Sequence, residues 1–318
     1  FETSLGASMF SLYLYFYLHY RLKNRKTLPL AILFGALAFY SYSPLQLVVV
    51  FTGAALLFAD WRYHWQDNRV LLAGLLTLVL AALPYALFRL NHPDALARHL
   101  SQLRSYWISE AALPVKAGAF LRNYLRGLDP RYCFFPNDTD LIRHQMKGMG
   151  HFPLLSLPLV LLGLVEAARG LREPAKKTVF IALLAAPSGA ALVGPAITRL
   201  LVMIVPLSYL ALLGTEHLLA WLCPARNLHK LYLPVFYGFW ALSSLFITWN
   251  ALRNGPTWFE NYGMYGLQWG GKTLFDEVDE FRRENPGKVI FLSPNWANGT
   301  DVIARYFLGD PLPITVGD

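Results

Sequence analysis

The residues best suited to chemistry in this sequence are cations that could hold a phosphate group. The segment 91–152 carries eight Lys and Arg residues against five Asp and Glu residues. Such a basic surface suits anionic lipid headgroups or a phosphate-bearing substrate, because guanidinium groups bind phosphate oxygens in pairs. Arg199 lies between two apolar segments, where a lipid phosphate would be a natural partner for it. The alternative for both features is that ordinary basic side chains reach out to the headgroups from a membrane boundary.

Common catalytic motifs are missing. The sequence has no GxGxxG, P-loop, HExxH, CxxC or GxSxG pattern, and its eight histidines are scattered without metal-ligand spacing. Few ionisable residues fall within apolar segments, and among them are His19, Glu166, Glu216 and His217. Glu216 and His217 could pair with each other or with a neighbour. Because these residues lie near segment ends, we expect interfacial solvation rather than a proton relay.

The segments that must position these residues are strongly apolar. Of 318 residues, 55% are hydrophobic and 15% are charged, against about 25% charged residues in an ordinary soluble domain. A soluble core of this length cannot hide so much apolar surface. The composition therefore excludes a disordered tail, a disulfide mini-protein and a water-soluble enzyme. It predicts an all-α polytopic membrane protein, and its formal net charge is +8.

Hydropathy predicts about eight membrane-spanning segments, each near the ~20 residues that a bilayer requires. The second and third are short and separated only by Pro44, so they are either thin spans or a hairpin that does not cross fully. The sixth is interrupted by Pro and Gly residues. The eight segments are Leu5–Tyr20, Leu28–Ser43, Leu45–Ala59, Val70–Leu90, Pro153–Ala168, Thr178–Ile197, Leu200–Leu222 and Leu231–Asn250.

The charges between these segments predict one orientation. If successive segments alternate in direction, four basic loops share one face of the membrane: 21–27, 60–69, 169–177 and 223–230. The connections at Pro44 and near Arg199 lie on the other face and are poor in charge. The positive-inside rule then places the basic loops in the cytoplasm, and the segments 91–152 and 251–318 outside it.

Two regions are expected, a transmembrane helical domain over 1–250 and a small extracytoplasmic α/β region over 251–318. In the tail, Lys272–Glu284 is predicted as an amphipathic helix, Val289–Leu292 as a strand and Asp301–Phe307 as a second helix.

The outer loop 91–152 is expected to lie against the membrane surface. Leu96, Leu100, Leu103 and Trp107 recur at spacings of three and four residues, which predicts an interfacial helix.

The order of several segments resembles one family. FETSLGASMFSLYLYFYLHYR and GALAFYSYSPLQLVVV, then LRNYLRGLDPRYCFFPNDTDLIRHQMKGMGHFPLLSLPLVLLGL, then APSGAALVGPAITRLLVMIVPLSYLALLG, are similar to bacterial family-39-type glycosyltransferases of the GT-C superfamily. That family uses dolichyl- or undecaprenyl-phosphate-linked sugars and includes mannosyltransferases and aminoarabinose transferases. The resemblance extends over nearly the whole chain. It implies a multi-pass enzyme of the bacterial cytoplasmic (inner) membrane.

The resemblance also implies roles for individual residues. By position, Arg143, His144 and Arg199 would contact the donor phosphate, and Glu2 would lie in the cavity wall. The family's catalytic carboxylate lies in a first external loop, which would precede Phe1, so we expect this chain to be an internal piece of a longer polypeptide. A divalent metal is possible in this family, although no cofactor is identified from the residues themselves.

The expected function is the transfer of a sugar, outside the cytoplasm, from a polyprenyl-phosphate-linked donor to a lipid, glycan or protein acceptor. The expected partners are that donor and membrane lipids, without nucleic acid. The alternative is a non-catalytic accessory or scaffold subunit that binds other subunits of a membrane complex. A transporter or lipid flippase ranks last, because the sequence shows no convincing internal repeat and no midplane charges.

Overall fold

The computed structural model describes residues 2–137, 139–140, 144–145, 148–222, 232–254, 271–294 and 299–317. These residues are mostly helical, which confirms the predicted helical class. The chain divides into two compact units, Phe1–Asp140 with Gly148–Thr248, and Leu141–Lys147 with Trp249–Asp318. We call them the helical unit and the tail unit.

The first part of the chain forms helices joined by short connections. They are α1 Glu2–Leu22, α2 Leu28–Ser41, α3 Ser43–Ala59, α4 Trp61–His64, α5 Asn68–Asn91, α6 Ala95–Gln102, α7 Leu113–Leu128, α8 Pro130–Phe134, α9 Leu157–Arg169, α10 Pro174–Ala185, α11 Ser188–Ala191, α12 Ile197–Leu200, α13 Ile204–Leu222 and α14 Tyr232–Asn254. Short 3₁₀ turns lie at Arg25–Thr27, Tyr106–Ile108, Leu154–Ser156 and Leu201–Met203.

Among the described residues, two helices are long and apolar enough to cross a membrane, Asn68–Asn91 and Ile197–Leu222. A third span results if the bent pair Leu154–Arg169 and Pro174–Ala191 is one broken span. The predicted number of eight spans is therefore not confirmed. The helices α2 and α3 have only 14 and 17 residues, fewer than the ~20 that a full crossing requires.

Glycines allow α9 and α13 to pack backbone to backbone. A Cβ atom at Gly163 would lie 1.9 Å from the Leu210 carbonyl oxygen, and one at Gly214 would lie 1.8 Å from the Leu159 carbonyl oxygen. Small residues commonly allow such close contact between apolar helices. In the same way, a Cβ at Gly189 in α11 would lie 1.9 Å from the Pro44 carbonyl oxygen at the start of α3.

The basic end of the helical unit, where α1 and α3 end and α10 begins, is held by one carboxylate. The Asp60 side chain is almost fully buried and accepts two hydrogen bonds from Arg21, at 2.8 and 3.0 Å. It also accepts a hydrogen bond from Tyr17 Oη at 2.7 Å and one from Lys177 Nζ. Residues from three of the predicted basic loops, 21–27, 60–69 and 169–177, thus meet at one point.

The outer loop differs from its predicted form. The helix α6 ends at Gln102, and Arg104 adopts a left-handed conformation with φ 51°. Leu103 and Trp107 therefore lie outside the helix that their spacing predicted, because the chain turns between them and Leu100. The longer amphipathic helix of this loop is α7, in which Leu113, Leu121 and Leu125 remain exposed.

The tail unit has the predicted helix–strand–helix order. It contains α15 Gly271–Glu284, β1 Phe291–Leu292, α16 Thr300–Leu308 and β2 Thr315–Val316. The two short strands pair in parallel, with Phe291 opposite Thr315. Phe275, Ala304 and Ile314 form its small core, and the Phe275 ring stacks on Phe307.

Candidate functional site

The candidate site is at the end of the helical unit opposite Asp60, where the outer loop covers a break between α11 and α12. Asp140 is its buried centre, with 7% of its surface exposed. Its Oδ2 accepts hydrogen bonds from Tyr132 Oη and His151 Nε2, both at 2.8 Å, and its Oδ1 accepts one from the Ile197 backbone N–H, also at 2.8 Å. One carboxylate thus joins α8, the segment before α9 and the start of α12.

These contacts determine the charge state of the centre. Burial alone would raise the pKa of Asp140, but the hydrogen bonds from His151, the Ile197 N–H and Tyr132 outweigh it and lower that pKa. Burial and the Asp140 hydrogen bond raise the pKa of Tyr132 above its usual range, while the charge of Arg199 acts in the opposite direction. Asp140 is therefore an ionised anchor, and Tyr132 remains a neutral donor.

The break between α11 and α12 leaves carbonyl groups without helical partners, and the outer loop supplies donors for them. Ser105 Oγ donates to the Leu192 oxygen at 2.5 Å. The Ala191 oxygen accepts hydrogen bonds from Tyr106 Oη at 2.6 Å and Asn123 Nδ2 at 3.2 Å. A helix end buried without such partners would be costly, so the loop and the broken helix stabilise each other.

A cavity of about 510 Å³ lies beside this anchor. Its wall includes Arg126 from α7, Arg131 and Tyr132 from α8, and Pro195 from the break. Both arginine side chains are exposed. Asp129, the only acidic residue among the described residues of the wall, uses Oδ1 to cap α8 by accepting the Arg131 backbone N–H at 2.9 Å. The described residues of the wall therefore carry two exposed guanidinium groups against one carboxylate, and these arginines can bind an anion that carries an apolar part.

The four residues that the resemblance assigned to the donor site do not lie together at the cavity. Arg199 lies on α12, half-buried, and its Nη1 donates to the Gly194 oxygen at 3.1 Å. Glu2 is exposed at the first turn of α1 and does not line the cavity. His144 lies in the tail unit, half-buried. Arg143 lies outside the described residues.

Sequence reasoning counted Arg126 and Arg131 as loop charges but did not select them. The sequence Asp129-Pro130-Arg131 carries a recognisable signal, because Asp at a cap followed by Pro at the first position is typical of a helix start. That signal locates α8 and its first turn. It does not show which cations of the loop meet at a cavity.

No group of three or more His, Cys, Asp or Glu side chains among the described residues is arranged to hold a metal ion. The divalent metal implied by the resemblance stays a prediction.

Two of the ionisable residues predicted inside apolar segments, Glu166 and His217, pair with each other. His217 Nδ1 lies 3.3 Å from Glu166 Oε1. Since this pair joins α13 to α9, it supports a packing role for both residues.

Comparison with protein-family models, with curated proteins and with solved structures finds no match to this chain.

Proposed function

We propose that this chain is part of an enzyme that transfers a sugar from a polyprenyl-phosphate-linked donor to a lipid, glycan or protein acceptor. In this proposal the enzyme lies in a bacterial cytoplasmic membrane, and transfer takes place on its outer face. The observation that carries the proposal is the cavity whose wall contains Arg126 and Arg131. The sequence resemblance gives the donor class, and the cavity supplies a place for the donor phosphate.

The cavity suits an amphiphile rather than a free phosphate ion. The helix α7, which contributes Arg126, exposes Leu113, Leu121 and Leu125. An amphipathic helix with this composition lies in a membrane interface with its apolar side in the acyl layer. A lipid with its chain in the membrane would therefore bring its phosphate to the level of these arginines.

The arginines would also assist the chemistry. Cleavage of a phosphate-linked sugar leaves negative charge on the phosphate oxygens, and nearby guanidinium groups stabilise that charge. Arg199 is half-buried, its charge acts to lower the pKa of Tyr132, and among the described residues it forms no ion pair with a carboxylate. It adds a third positive charge to this end of the unit.

Donor binding and transfer can be tested on the full-length polypeptide in lipid nanodiscs. The probe is decaprenyl phosphate, and transfer is followed with a radiolabelled decaprenyl-phosphate sugar and total membrane acceptors. We expect Arg126→Gln with Arg131→Gln to weaken decaprenyl phosphate binding by at least tenfold, because each charge-assisted hydrogen bond contributes about 1.5–3 kcal/mol. Sugar transfer should fall in parallel.

Arg122→Gln is the matched control. Arg122 is exposed on the same helix, one turn before Arg126, but it does not line the cavity. Equal loss of binding in this control would mean that general surface charge is responsible and would contradict the proposed site. Tight binding of decaprenyl phosphate without any transfer would instead favour the accessory-subunit alternative.

A further inference from the structure

The helical unit contains a second cavity that the proposed function does not use. It is a groove of about 480 Å³ between α1, α2, α3 and α5, which we call the tyrosine groove. The α5 residues that line the groove recur at helical spacing between Leu71 and Tyr85. One face of α5 therefore forms a wall of the groove. The α2 residues that line the groove extend from Leu28 to Tyr40. At 1.5 Å per residue this stretch of helix is roughly 18 Å long.

The groove is apolar and has no formally charged side chain among its lining residues. His64, at one end, is buried, and burial is the main cause that lowers its pKa, so the ring is neutral near pH 7. A phosphate or carboxylate inside this groove would remain without a counter-charge, which is costly. The occupant must therefore be neutral.

Tyr13 contributes a hydroxyl group to the wall of the groove between α1 and α3. Tyr13 of α1 is 7% exposed, and its ring packs against Gly35, where a Cβ atom would lie 3.5 Å from the ring. Its Oη reaches Gly53 of α3, where a Cβ atom would lie 3.4 Å away. Within the described part of the chain this hydroxyl forms no hydrogen bond with the protein, and its oxygen stays accessible from the groove rather than fully buried. A ligand oxygen at this point would gain a hydrogen bond from Tyr13 Oη.

The other end of the groove is closed by a hydroxyl inserted into α5. Tyr40 Oη donates to the Ala81 oxygen at 2.7 Å and accepts from the Tyr85 N–H at 3.1 Å. The Tyr40 hydroxyl thus connects the N–H and the carbonyl group of one helical turn of α5. Pro84, which disturbs the helix, lies in that turn. This link joins α2 to α5 and holds the groove open between them.

The surroundings of the groove indicate a lipid. The helix α5 is one of the helices apolar enough to cross a membrane, and Gly74 is its only buried residue. The groove therefore faces the hydrocarbon layer when α5 spans a bilayer. A second helix, with a diameter of about 10 Å including side chains, is too thick for a groove of this volume.

We propose that the tyrosine groove binds a neutral lipid with a single hydrocarbon chain and one alcohol oxygen, which hydrogen-bonds to Tyr13 Oη. This site is separate from the arginine cavity, and a lipid bound here has no phosphate to present to Arg126 or Arg131.

The probe is a long-chain fatty alcohol with a diazirine in its chain, applied to the full chain in nanodiscs. The fatty acid and the alkane of equal length, each with the same diazirine, serve as comparison probes. We expect the alcohol to label peptides of α1, α2, α3 and α5, and unlabelled alcohol to compete. Tyr13→Phe should weaken alcohol binding about fivefold, as expected for one hydrogen bond, and leave alkane binding unchanged. Gly53→Leu fills the groove and should remove the binding of the alcohol and of the alkane.

Tyr15→Phe is the matched control, because Tyr15 lies on the same helix but is 58% exposed. The proposal is overturned if Tyr15→Phe and Tyr13→Phe have equal effects, or if the acid or alkane binds as tightly as the alcohol. Labelling spread evenly over all apolar helices, unchanged by Gly53→Leu in a folded variant, would also overturn it. Binding of decaprenyl phosphate is measured on the same variants, so failure at this groove is distinguishable from failure at the arginine cavity.

Discussion

At the scale of single residues, Asp60 is the side chain whose loss has the clearest consequence. It is 4% exposed and neutralises two largely buried cations, Arg21 and Lys177. Removing one member of a buried ion pair leaves uncompensated charge and costs about 3–5 kcal/mol. We expect Asp60→Asn to lower the free energy of unfolding by that amount, measured by denaturant titration in detergent micelles.

The same residue predicts a dependence on pH. Burial alone would raise the pKa of Asp60, but hydrogen bonds from Lys177 and Tyr17 and the charge of Arg21 lower it overall. Since the folded pKa is below the unfolded value of about 3.9, the stabilisation is complete above that value and is lost as pH falls through the folded pKa. The wild-type protein should therefore lose more stability than Asp60→Asn on acidification below about pH 4.

A control for both measurements is Glu173→Gln. Glu173 pairs with Lys176 near the same end, but its side chain is 62% exposed, and exposed pairs contribute less than about 1 kcal/mol. If Asp60→Asn is no more destabilising than this control, the Asp60 cluster is not a structural anchor.

Residue chemistry was the part that the sequence predicted least well. The cations of 91–152 have the same residue types and similar neighbours, and only the rotation of α7 and the cap of α8 bring Arg126 and Arg131 to one cavity. Asp140 binds an N–H group 57 positions away. Sequence spacing contains no signal for such a contact.

At the scale of elements, hydropathy predicted helices well and helix partners poorly. The segment Val70–Leu90 was found as Asn68–Asn91, because a long apolar run in the chain favours one continuous helix. The contact between α9 and α13 was not predicted. It depends on Gly163 and Gly214 lying at the same crossing, and neither residue stands out from the other glycines in the sequence.

Two glycine-to-alanine substitutions in helices should have opposite effects. At Gly163 the new Cβ atom would be 1.9 Å from a backbone oxygen, so α9 and α13 must separate and the protein should lose at least about 1–3 kcal/mol. At Gly118 in α7 no atom lies within 4 Å of the new Cβ position. There alanine should stabilise the protein by about 0.5–1 kcal/mol. Thermal unfolding of both variants in one detergent would check this, and equal signs would contradict the α9–α13 crossing.

At the scale of the whole molecule, the two ends of the helical unit should lie on opposite sides of a membrane. Lys177, near the start of α10, binds Asp60 at the basic end, whereas Ala191, at the end of α11, binds Tyr106 of the outer loop. The segment Pro174–Ala191 between these contacts is roughly 27 Å long at 1.5 Å per residue. That length is close to the ~30 Å hydrocarbon thickness of a bilayer.

Single-cysteine labelling tests this arrangement in cells. We expect Arg122→Cys, exposed on α7, to react with a membrane-impermeant maleimide in spheroplasts, and Arg172→Cys, exposed between α9 and α10, to react only after permeabilisation. Cys223 is replaced by serine in both variants. Cys133 can stay, because burial raises the pKa of its thiol to about 12 and only a thiolate reacts rapidly. Labelling of both positions from the same side would mean that the helical unit does not cross the membrane between them. That result would contradict the proposed position of the arginine cavity on the outer face.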